Sequence, residues 1–342
     1  MSKSNTAPRI AVVGVSSLIG DAVLDELRNR KFPHAALHAL DDARDLGRAG
    51  AEEGEKPPVG DVEDFDFSRI DLAFFCGRSA LAERYAQAAA NHAWVIDSSS
   101  AFRSRSDVPL VVADVNAAML APATLAGLIA LPGSASTALA TVLAPLHRLA
   151  GLARVDVATY QAVSGSGRAA MEGLASETVA LLGGRKASGR SFGRQIAFNV
   201  IPQVDAIEAD GASREEHRLL HETRRVLGLP HLAINATAVR VPVFFGHSLA
   251  LHVSFERDVT VASASAMLQS SNGIRLISGE SRAQFPTPAV EALAPDHVYV
   301  GRVRADPTRD RSLNFWVVAD NVRKCAAHNS VSIAQILVNG SQ

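Results

Sequence analysis

A Pro-Gly break and three hydroxyl side chains fall together in the run Leu131-Pro132-Gly133-Ser134-Ala135-Ser136-Thr137. The apolar segment 127–130 predicts a short strand before this run, and the apolar segment 138–149 predicts a helix after it. Ser134, Ser136 or Thr137 could cap that helix, whose first amides would then point at Ser134. Because a helix N-terminus stabilises developing negative charge, Ser134 stands where a nucleophile or an oxyanion is favoured. A capped crossover helix without any chemistry is the alternative that this stretch alone leaves open.

Other polar residues capable of chemistry stand after predicted strands or on a helix face. Arg103 follows an apolar strand, and its planar guanidinium suits phosphate, although a lone arginine there is commonly a surface residue. Glu215 and Arg218 share one face of the predicted helix 214–227, either as part of a site or as an ordinary ion pair. His247 follows another apolar strand, where a solitary histidine is more often structural than catalytic.

The 342 residues suit two joined domains or one large one, and the charge balance limits the class of partner. Lys and Arg total 34 and Asp and Glu total 35, a formal net charge of -1, which offers no basic footprint for nucleic acid or an anionic membrane. No apolar run reaches membrane-spanning length and no signal-peptide core precedes the first strand, so a cytoplasmic protein is expected. Cys76 and Cys325 are too few for a disulfide framework or a zinc site, and we expect both to be buried.

The first half of the chain alternates strands and helices at the pitch of a doubly wound parallel sheet. The predicted strands are 9–13, 36–40, 71–76 and 94–97, and the predicted helices are 21–30 and 80–90. The first strand and the first helix are joined by Gly14-Val15-Ser16-Ser17-Leu18-Ile19-Gly20, a setting in which a dinucleotide pyrophosphate binds. The segment 48–63 is polar and predicts a surface excursion.

Two carboxylates, Asp41 and Asp42, close the second predicted strand. An acidic residue about 20 residues beyond the glycine turn usually accepts the ribose 2′-hydroxyl of NAD, and it repels the 2′-phosphate of NADP. Arg44 stands beside them and offsets part of that repulsion. The alternative interpretation is a solvated turn, which Asp also favours.

The second half of the chain predicts a second sheet with its own helices. The predicted strands are 155–159, 239–243, 298–303 and 312–318, and the predicted helices are 169–182, 214–227 and 320–338. Ser213 and Glu216 have the spacing of a capping box at the start of the helix 214–227. The segment 188–203 is polar and predicts a loop excursion.

Four blocks of this sequence resemble, in order, the aspartate-semialdehyde dehydrogenase family. They are the segment 96–116, the break at 131–137 with Ala144-Pro145-Leu146-His147 after it, Thr159-Tyr160-Gln161 with Val163-Ser164-Gly165, and Arg240-Val241-Pro242-Val243 with Gly246-His247-Ser248. The resemblance extends over essentially the whole chain. It implies a phosphorylating, NADP-dependent oxidoreductase of amino-acid biosynthesis, in which a cysteine thiolate attacks an aldehyde, hydride leaves to the dinucleotide and phosphate cleaves the acyl-enzyme.

The resemblance also implies the fold class. It predicts an α/β chain with a Rossmann-type doubly wound parallel sheet, plus an α+β mixed-sheet catalytic and dimerisation domain of the glyceraldehyde-phosphate-dehydrogenase type. The expected dinucleotide-binding domain is 1–132, the catalytic and dimerisation domain is 133–317, and 318–342 is a C-terminal helix returning to the nucleotide domain. Relatives bury the second sheet between subunits, and the apolar segments 155–163 and 233–255 favour the same, so we expect a homodimer.

Residue by residue, the resemblance assigns three groups of site residues and no metal ligands. The catalytic group is Ser134, His247 as general acid–base, and Gln161. The group for substrate and phosphate is Arg103, Glu215, Arg218 and Arg240, of which Arg240 clamps the substrate carboxylate. The group for NADP or NAD is Gly14, Ser16, Ser17, Leu18, Ile19, Gly20, Arg44, Ser164, Gly165 and Asn321.

Three departures from the family pattern fall on residues of the chemistry. The family break reads Asn-Pro-Asn-Cys-Ser-Thr, so counting back from Pro145 places Ser134 at the nucleophilic cysteine and Gly133 at the asparagine, while Ser17 replaces the middle glycine of the turn. A serine hydroxyl needs a base to become a nucleophile, whereas a cysteine is partly thiolate at neutral pH. We therefore favour a catalytically impaired or silent member, close to the Usg-like branch of the family, with weakened cofactor binding. The alternative is an active oxidoreductase with Ser134 as its nucleophile.

Overall fold

The computed structural model describes residues 7–43, 57–120, 127–278, 284–291 and 296–340. The chain divides into two compact units: unit 1 is Met1–Pro132 together with Ala326–Gln342, and unit 2 is Gly133–Cys325. Each unit is built on a six-stranded sheet of its own. Within the described ranges, no helix has both the length and the apolar character needed to cross a membrane.

The sheet of unit 1 is parallel throughout. Its strands are β1 (Arg9–Val13), β2 (Ala36–Asp41), β3 (Val59–Asp61), β4 (Leu72–Phe75), β5 (Trp94–Asp97) and β6 (Leu128–Ala130), in the spatial order β3-β2-β1-β4-β5-β6. Its helices are α1 (Leu18–Asn29), α2 (Ser79–Ala90), the one-turn α3 (Ala113–Asn116) and α8 (Asn329–Gly340), with 3₁₀ turns at Phe67–Arg69 and Ala117–Leu120. This is the strand order of a Rossmann-type fold, so the predicted doubly wound parallel sheet is confirmed.

Continuous apolar runs account for the central strands of this sheet. Ile10 and Val13 on β1 are completely buried, and Phe74 and Phe75 on β4 are at most 1% exposed. A parallel strand is covered on both faces by the crossover helices, so it requires such a run rather than an apolar–polar alternation.

Helix α8 belongs to unit 1 although it lies far along the chain from the rest of that unit. Asn329 at its start accepts a hydrogen bond from the Ala113 N–H at 2.8 Å and donates to the Val111 carbonyl at 3.1 Å. Arg30, just after α1, donates to the Ser332 hydroxyl at 3.1 Å. Side chains of the last helix therefore satisfy polar groups of the first 120 residues.

Strand β3 shows where the predicted surface excursion over 48–63 is wrong. Val59–Asp61 pair in parallel with Ala39, Leu40 and Asp41 of β2. A three-residue edge strand with a glycine at its centre has no apolar pattern of its own, and its backbone pairing alone places it in the sheet. Residues 44–56 of the same segment lie outside the described ranges.

The sheet of unit 2 is mixed, as predicted. Its strands are β7 (Leu152–Gln161), β8 (Ala233–Arg240), β9 (His247–Phe255), β10 (Ile274–Ile277), β11 (Val298–Ala305) and β12 (Ser312–Ala319), in the order β10-β11-β12-β9-β7-β8. The pairs β10–β11 and β7–β8 are parallel and the others are antiparallel. The helices are α4 (Ser134–Ala150), α5 (Arg168–Leu182), α6 (Arg214–Leu227) and α7 (Val261–Gln269), with a 3₁₀ turn at Val163–Ser166.

One face of this sheet forms the core of unit 2. Leu249, Leu251 and Val253 alternate along β9 at 0–1% exposure, and they join the same apolar cluster as Leu139 and Leu143 of α4. The alternation is typical of a sheet with one face packed against helices. Burial of these side chains supplies the main favourable free energy for unit 2.

Helix α4 begins at Ser134, four residues before the predicted start, and no side chain caps it. The predicted capping by Ser134, Ser136 or Thr137 is therefore wrong. Ala135 and Ala138 are fully buried in the unit 2 core, and this packing extends the helix through residues whose types favour a cap. The cap position is taken by Gly133 instead.

Two other element boundaries differ from prediction. β8 ends at Arg240, so the predicted strand 239–243 is wrong beyond that residue, because Pro242 has no N–H for the ladder. The predicted single helix 320–338 is a π-helical turn at Arg323–His328 followed by α8. Cys76 and Cys325 are both buried, as predicted.

Candidate active site

The first turn of α4 presents Ser134 beside backbone amides that have no helical partner. Gly133 N–H donates to the buried carboxylate of Glu222 on α6 at 2.6 Å, which holds the residue before the helix in place. The first helical hydrogen bond runs from Thr137 N–H to Gly133 O, so the three preceding amides remain for a ligand or water. Among the described residues, none hydrogen-bonds to Ser134 Oγ, so no base is hydrogen-bonded to it.

The backbone of Ala162, just after β7, joins Arg240 and His247. Arg240 Nη1 donates to Ala162 O at 2.6 Å, and Ala162 N–H donates to His247 Nδ1 at 3.1 Å. Both side chains are buried, Arg240 at 4% and His247 at 2% exposure. Because a backbone N–H can only donate, Nδ1 is the acceptor and the neutral imidazole carries its proton on Nε2.

Burial sets the charge states of these two residues. Burial lowers the pKa of His247 to about 3, and the positive charge of Arg240 lowers it as well. Burial also lowers the pKa of Arg240 to about 10, while Glu215 acts in the opposite direction. At neutral pH Arg240 is therefore a cation and His247 is a neutral hydrogen-bond donor through Nε2. In this tautomer Nε2 cannot take a proton from a hydroxyl.

The turn after β7 approaches both side chains closely. A Cβ on Gly165 would lie 3.1 Å from Arg240 Nη1 and 3.3 Å from His247 Cε1, so the absence of a side chain allows this approach. The neighbouring Ser164 Oγ accepts from Asn321 Nδ2 at 3.0 Å, and Asn321 Oδ1 accepts from the N–H of Gly246, which directly precedes His247. The predicted cofactor residues Ser164, Gly165 and Asn321 are thus brought to the same cluster as Arg240 and His247.

Gln161 and Glu215 join the cluster from β7 and α6. Gln161 is paired in register with Arg240 across the parallel strands, and its Nε2 donates to Glu215 Oε1 at 2.9 Å. The predicted capping box of α6, Ser213 with Glu216, is confirmed, and it fixes the start of the helix that carries Glu215. These contacts place a predicted catalytic residue against a predicted substrate residue.

Arg218, the other predicted phosphate ligand on α6, is engaged by an acid that the sequence did not single out. Its Nη1 lies 2.6 Å from Asp205 Oδ2 and 4.0 Å from Glu215 Oε2. A phosphate at this position would share Arg218 with two carboxylates, which weakens its attraction for the anion.

In unit 1, the glycine turn between β1 and α1 has the backbone of a nucleotide-binding loop. Gly14 has a φ of +85°, and a Cβ there would lie 2.5 Å from Gly77 N; a Cβ on Gly20 would lie 2.3 Å from Gly14 O. Only glycine fits either position. The close packing of turn, strand and helix is the arrangement that a dinucleotide requires.

Ser17 has a different role from the glycine that the family pattern places there. It is the N-cap of α1: its Oγ accepts from Gly20 N–H at 2.9 Å and donates to Cys76 O at 2.8 Å. Within the described part of the chain, the amides of Leu18 and Ile19 are the ones at this helix start that have no partner. These two N–H groups fit a pyrophosphate oxygen, but Gly20 N–H is already satisfied.

The carboxyl end of β2 carries both predicted carboxylates. Asp41 is 2% exposed and accepts from Ser16 N–H at 2.8 Å and from Asp42 N–H at 3.0 Å. Asp42 lies 2.5 Å from Arg78 Nη2, in the turn after β4. The alternative of a solvated turn is thereby wrong for Asp41, whose carboxylate is buried against the glycine turn.

Two predicted arginines remain. Arg103, in unit 1, is half-buried and donates from Nη2 to Ser98 O at 2.9 Å. Arg44, predicted to contact the cofactor, lies outside the described residues. Across the described ranges, no group of three or more His, Cys, Asp or Glu side chains is placed to hold a metal ion.

The sequence did not indicate the contacts that hold the cluster together. The backbone of Ala162 bridges Arg240 and His247, Glu222 fixes Gly133, and the ring of Phe192 lies over the Arg240 guanidinium at 5.6 Å. A backbone contact leaves no signal in side-chain types. An aromatic residue in the polar segment 188–203 was the available signal for Phe192.

Two family models match this chain. The model described as semialdehyde dehydrogenase, NAD binding domain, matches residues 9–123, and the model described as semialdehyde dehydrogenase, dimerisation domain, matches residues 143–324. They fall on unit 1 and unit 2 respectively.

Individual relatives agree over nearly the full length. Aspartate-semialdehyde dehydrogenase of Legionella pneumophila is 38% identical over 96% of this chain and 95% of its own, and that of Shewanella violacea is 39% identical over 96% and 97%. The crystal structure of aspartate semialdehyde dehydrogenase II from Vibrio cholerae has a TM-score of 0.93 at 38% identity, covering 98% of this chain and 99% of that one. The chain therefore belongs to the aspartate-semialdehyde dehydrogenase family, whose members are NAD(P)-binding oxidoreductases.

Proposed function

We propose that this chain is an aspartate-semialdehyde dehydrogenase-like protein whose phosphorylating dehydrogenase activity is lost or strongly reduced. One observation carries the proposal: Ser134 Oγ, at the position that the resemblance assigns to the nucleophile, is hydrogen-bonded to no base among the described residues. A substrate carboxylate would bind Arg240, and His247 would donate a hydrogen bond from Nε2 to the aldehyde oxygen. The binding machinery is therefore better preserved than the nucleophile.

The chemistry of the hydroxyl explains the loss. A serine attacks a carbonyl only when a base takes its proton, and His247 carries its own proton on Nε2 because Nδ1 is held by Ala162 N–H. Moving that proton to Nδ1 would cost the Ala162 hydrogen bond inside a buried site. An ester formed on Ser134 would also be less reactive towards phosphate than the thioester formed on a cysteine.

Weakened dinucleotide binding is part of the proposal. Bound NADP or NAD would supply the hydride acceptor, held by the amides of Leu18 and Ile19 in the turn from Gly14 to Gly20. Ser17 caps α1 and occupies the Gly20 N–H, so one donor fewer is available for the pyrophosphate. We propose that 1–132 holds the dinucleotide with 318–342 returning to it, and that 133–317 carries the substrate residues and forms a homodimer in the cytoplasm.

The alternative function is an active oxidoreductase that uses Ser134 as its nucleophile. The first turn of α4 favours it, since orphan amides beside Ser134 can stabilise an alkoxide or a tetrahedral oxyanion. It would act on aspartate semialdehyde or on a related aldehyde that forms an acyl phosphate.

An assay of NADPH formation from aspartate semialdehyde and phosphate separates the two functions. We expect little or no turnover for the wild type and partial turnover for Ser134→Cys, because a thiol at a helix N-terminus has a lowered pKa. Adding Gly133→Asn should raise the rate, since it restores the residue that the family pattern places before the nucleophile, and Gly133 has φ -57°, which asparagine adopts without strain. Cofactor binding is measured in parallel for every variant.

The outcomes are distinct. Robust wild-type turnover that disappears in Ser134→Ala establishes the serine nucleophile and contradicts a silent protein. A Ser134→Cys variant that binds dinucleotide and substrate yet stays inactive shows that replacement of the nucleophile is not the cause of the loss.

A further inference from the structure

Glu177 on α5 is a buried carboxylate that the proposed chemistry does not use. It is 2% exposed, and three backbone N–H groups of a distant loop donate to it: Gly189 to Oε1 at 2.8 Å, and Ile196 and Ala197 to Oε2 at 2.8 and 3.2 Å. A carboxylate that accepts several backbone donors makes strong, charge-assisted hydrogen bonds. Glu177 therefore fixes both ends of the segment 189–197.

That segment passes directly over Arg240. Its Phe192 ring lies 5.6 Å from the Arg240 guanidinium carbon and packs against the small apolar cluster that includes Ile196. A few residues later, Ile201 pairs with Arg240 through both backbone hydrogen bonds, at 2.9 and 2.8 Å. The loop and the arginine are thus joined through a ring and through the backbone.

We propose that Glu177 is a positioning residue for the anion pocket of Arg240, acting through the segment 189–197 and the Phe192 ring. The proposal rests on the proposed function, in which Arg240 binds the substrate carboxylate. The ligand class that this guanidinium fits is a carboxylate.

Geometry explains how the ring sets the pocket. Arg240 Nη1 donates to Ala162 O. Arg240 Nε is buried but has no hydrogen-bond partner in the part of the chain that the structure describes. The Phe192 ring covers one face of the planar guanidinium, and the remaining N–H donors lie along its edge, where a carboxylate would bind. Displacing the ring would admit water to that face and weaken carboxylate binding.

Replacement of Glu177 by glutamine should displace the ring. In Glu177→Gln one of the two oxygens becomes an NH₂ group facing backbone donors, so at least one of the three hydrogen bonds is lost. Glu172→Gln is the matched control, because Glu172 lies exposed on the same helix. Glu177→Asp, which keeps the charge but shortens the reach, is a second variant.

The first measurement is made on the ligand-free protein labelled with ¹⁵N-arginine. A proton over an aromatic face is shifted upfield, so Phe192→Leu should move the Arg240 Hε resonance downfield and Phe192→Tyr should not. Glu177→Gln and Glu177→Asp should move it in the same direction as Phe192→Leu. If both leave the resonance where Glu172→Gln leaves it, Glu177 has no positioning role.

The second measurement is calorimetric titration with L-2-aminobutyrate, which has the four-carbon skeleton without the aldehyde, and with n-propylamine, which lacks the carboxylate. We expect Phe192→Leu and Glu177→Gln to weaken L-2-aminobutyrate binding about fivefold to tenfold, up to about 1.4 kcal/mol, and Phe192→Tyr and Glu172→Gln to change it less than twofold. Binding that survives Arg240→Ala contradicts the proposed substrate site itself, whereas wild-type affinity in Glu177→Gln with a displaced Arg240 resonance contradicts only the inference.

Discussion

The ring of His247 is held by a backbone amide, since Ala162 N–H donates to its Nδ1. The ring is buried, and its pKa is lowered to about 3 by burial and by the charge of Arg240. An unfolded histidine has a pKa of about 6.5. Between these two values the unfolded state binds more protons than the folded state, so stability falls as the pH is lowered through this window.

We expect His247→Asn to remove that dependence. The asparagine oxygen can still accept from Ala162 N–H but does not titrate. Below about pH 6.5, the free energy of unfolding of the wild type should fall, relative to that of His247→Asn, by about 1.4 kcal/mol for each pH unit. Above about pH 6.5 the difference between the two proteins should stay constant. Urea denaturation at pH 7.5, 6.0 and 5.0 measures the difference.

Asp97 also makes the stability depend on pH, so the effect of His247 is measured as the difference between the wild type and His247→Asn. Burial raises the pKa of its carboxyl to about 6, which makes stability fall as the pH rises from about 3.8 to about 6. This contribution has the opposite sign but is present in both proteins, so their difference isolates His247. Parallel curves at all three pH values would contradict the buried, neutral state of the ring.

At the residue scale, the sequence predicted the side chains of the site but not what holds them. Gln161, Arg240 and His247 stand in motifs that resemble the family, and that resemblance, rather than their spacing alone, assigned them to the site. The tautomer of His247 depends on the backbone of Ala162, and the face of Arg240 is covered by Phe192, 48 positions earlier in the chain. Contacts of this kind arise from tertiary packing and leave no local pattern.

Among the elements, helix α1 is capped by Ser17, which stands where the family pattern has a glycine. Ser17 Oγ satisfies Gly20 N–H and contacts Cys76 O. We expect Ser17→Ala to lower the free energy of unfolding of unit 1 by about 1 kcal/mol, because the capping bond is lost. Chemical denaturation measures this change, with Ser17→Thr as the control that retains a capping hydroxyl. A loss of equal size in Ser17→Thr would show that the cap is not the cause.

The carboxyl end of β2 bears on the choice of dinucleotide. Asp41 is buried against the glycine turn and Asp42 lies against Arg78, so negative charge surrounds the region where a 2′-phosphate would sit. We expect NAD(H) to bind at least as tightly as NADP(H), and Asp42→Ala to shift the preference towards NADP(H) by releasing Arg78. Calorimetry measures both, with the exposed Asp64→Ala as control. NADP binding tenfold tighter in the wild type, about 1.4 kcal/mol, would contradict this.

Element boundaries show why sequence patterns were insufficient for the nucleophile loop. Hydroxyl side chains favour a helix cap, which predicts that α4 starts near residue 138. In the structure α4 starts at Ser134 instead, because Ala135 is buried in the core of unit 2. The N–H of Gly133, which precedes the helix, is satisfied by the Glu222 carboxylate of α6. Packing in the core overrides the local preference.

For the molecule as a whole, the parallel sheet and the mixed sheet were expected from the family resemblance, whereas their strand orders and the edge strands β3 and β10 were not predicted. The apolar segment 155–163 favoured an interface, but Val155 and Val157 pack in the core with α4. The other face of the sheet carries half-exposed Tyr160 and Trp316, whose rings lie 5.6 Å apart. The expectation of a dimer rests on the matching dimerisation-domain model rather than on those apolar strands.

We expect a homodimer of twice 36.1 kDa in sedimentation velocity at micromolar concentration. Ala158→Arg places a charge on the half-exposed face of β7 and should yield monomers, because a buried unpaired charge is costly at an interface. Ala153→Arg, exposed on the same strand, should remain dimeric. A wild-type monomer, or a dimer that tolerates Ala158→Arg, would rule out this face as the contact.

Unit 1 is assembled from two separate stretches of the chain, and Asn329 and Ser332 of α8 complete hydrogen bonds to Ala113, Val111 and Arg30. During vectorial synthesis on the ribosome, the parallel sheet emerges first yet lacks this helix, while the whole of unit 2 emerges as one continuous stretch. The second unit can therefore reach its native state on the ribosome. The first unit cannot be completed until α8 has been synthesised, after the whole of unit 2.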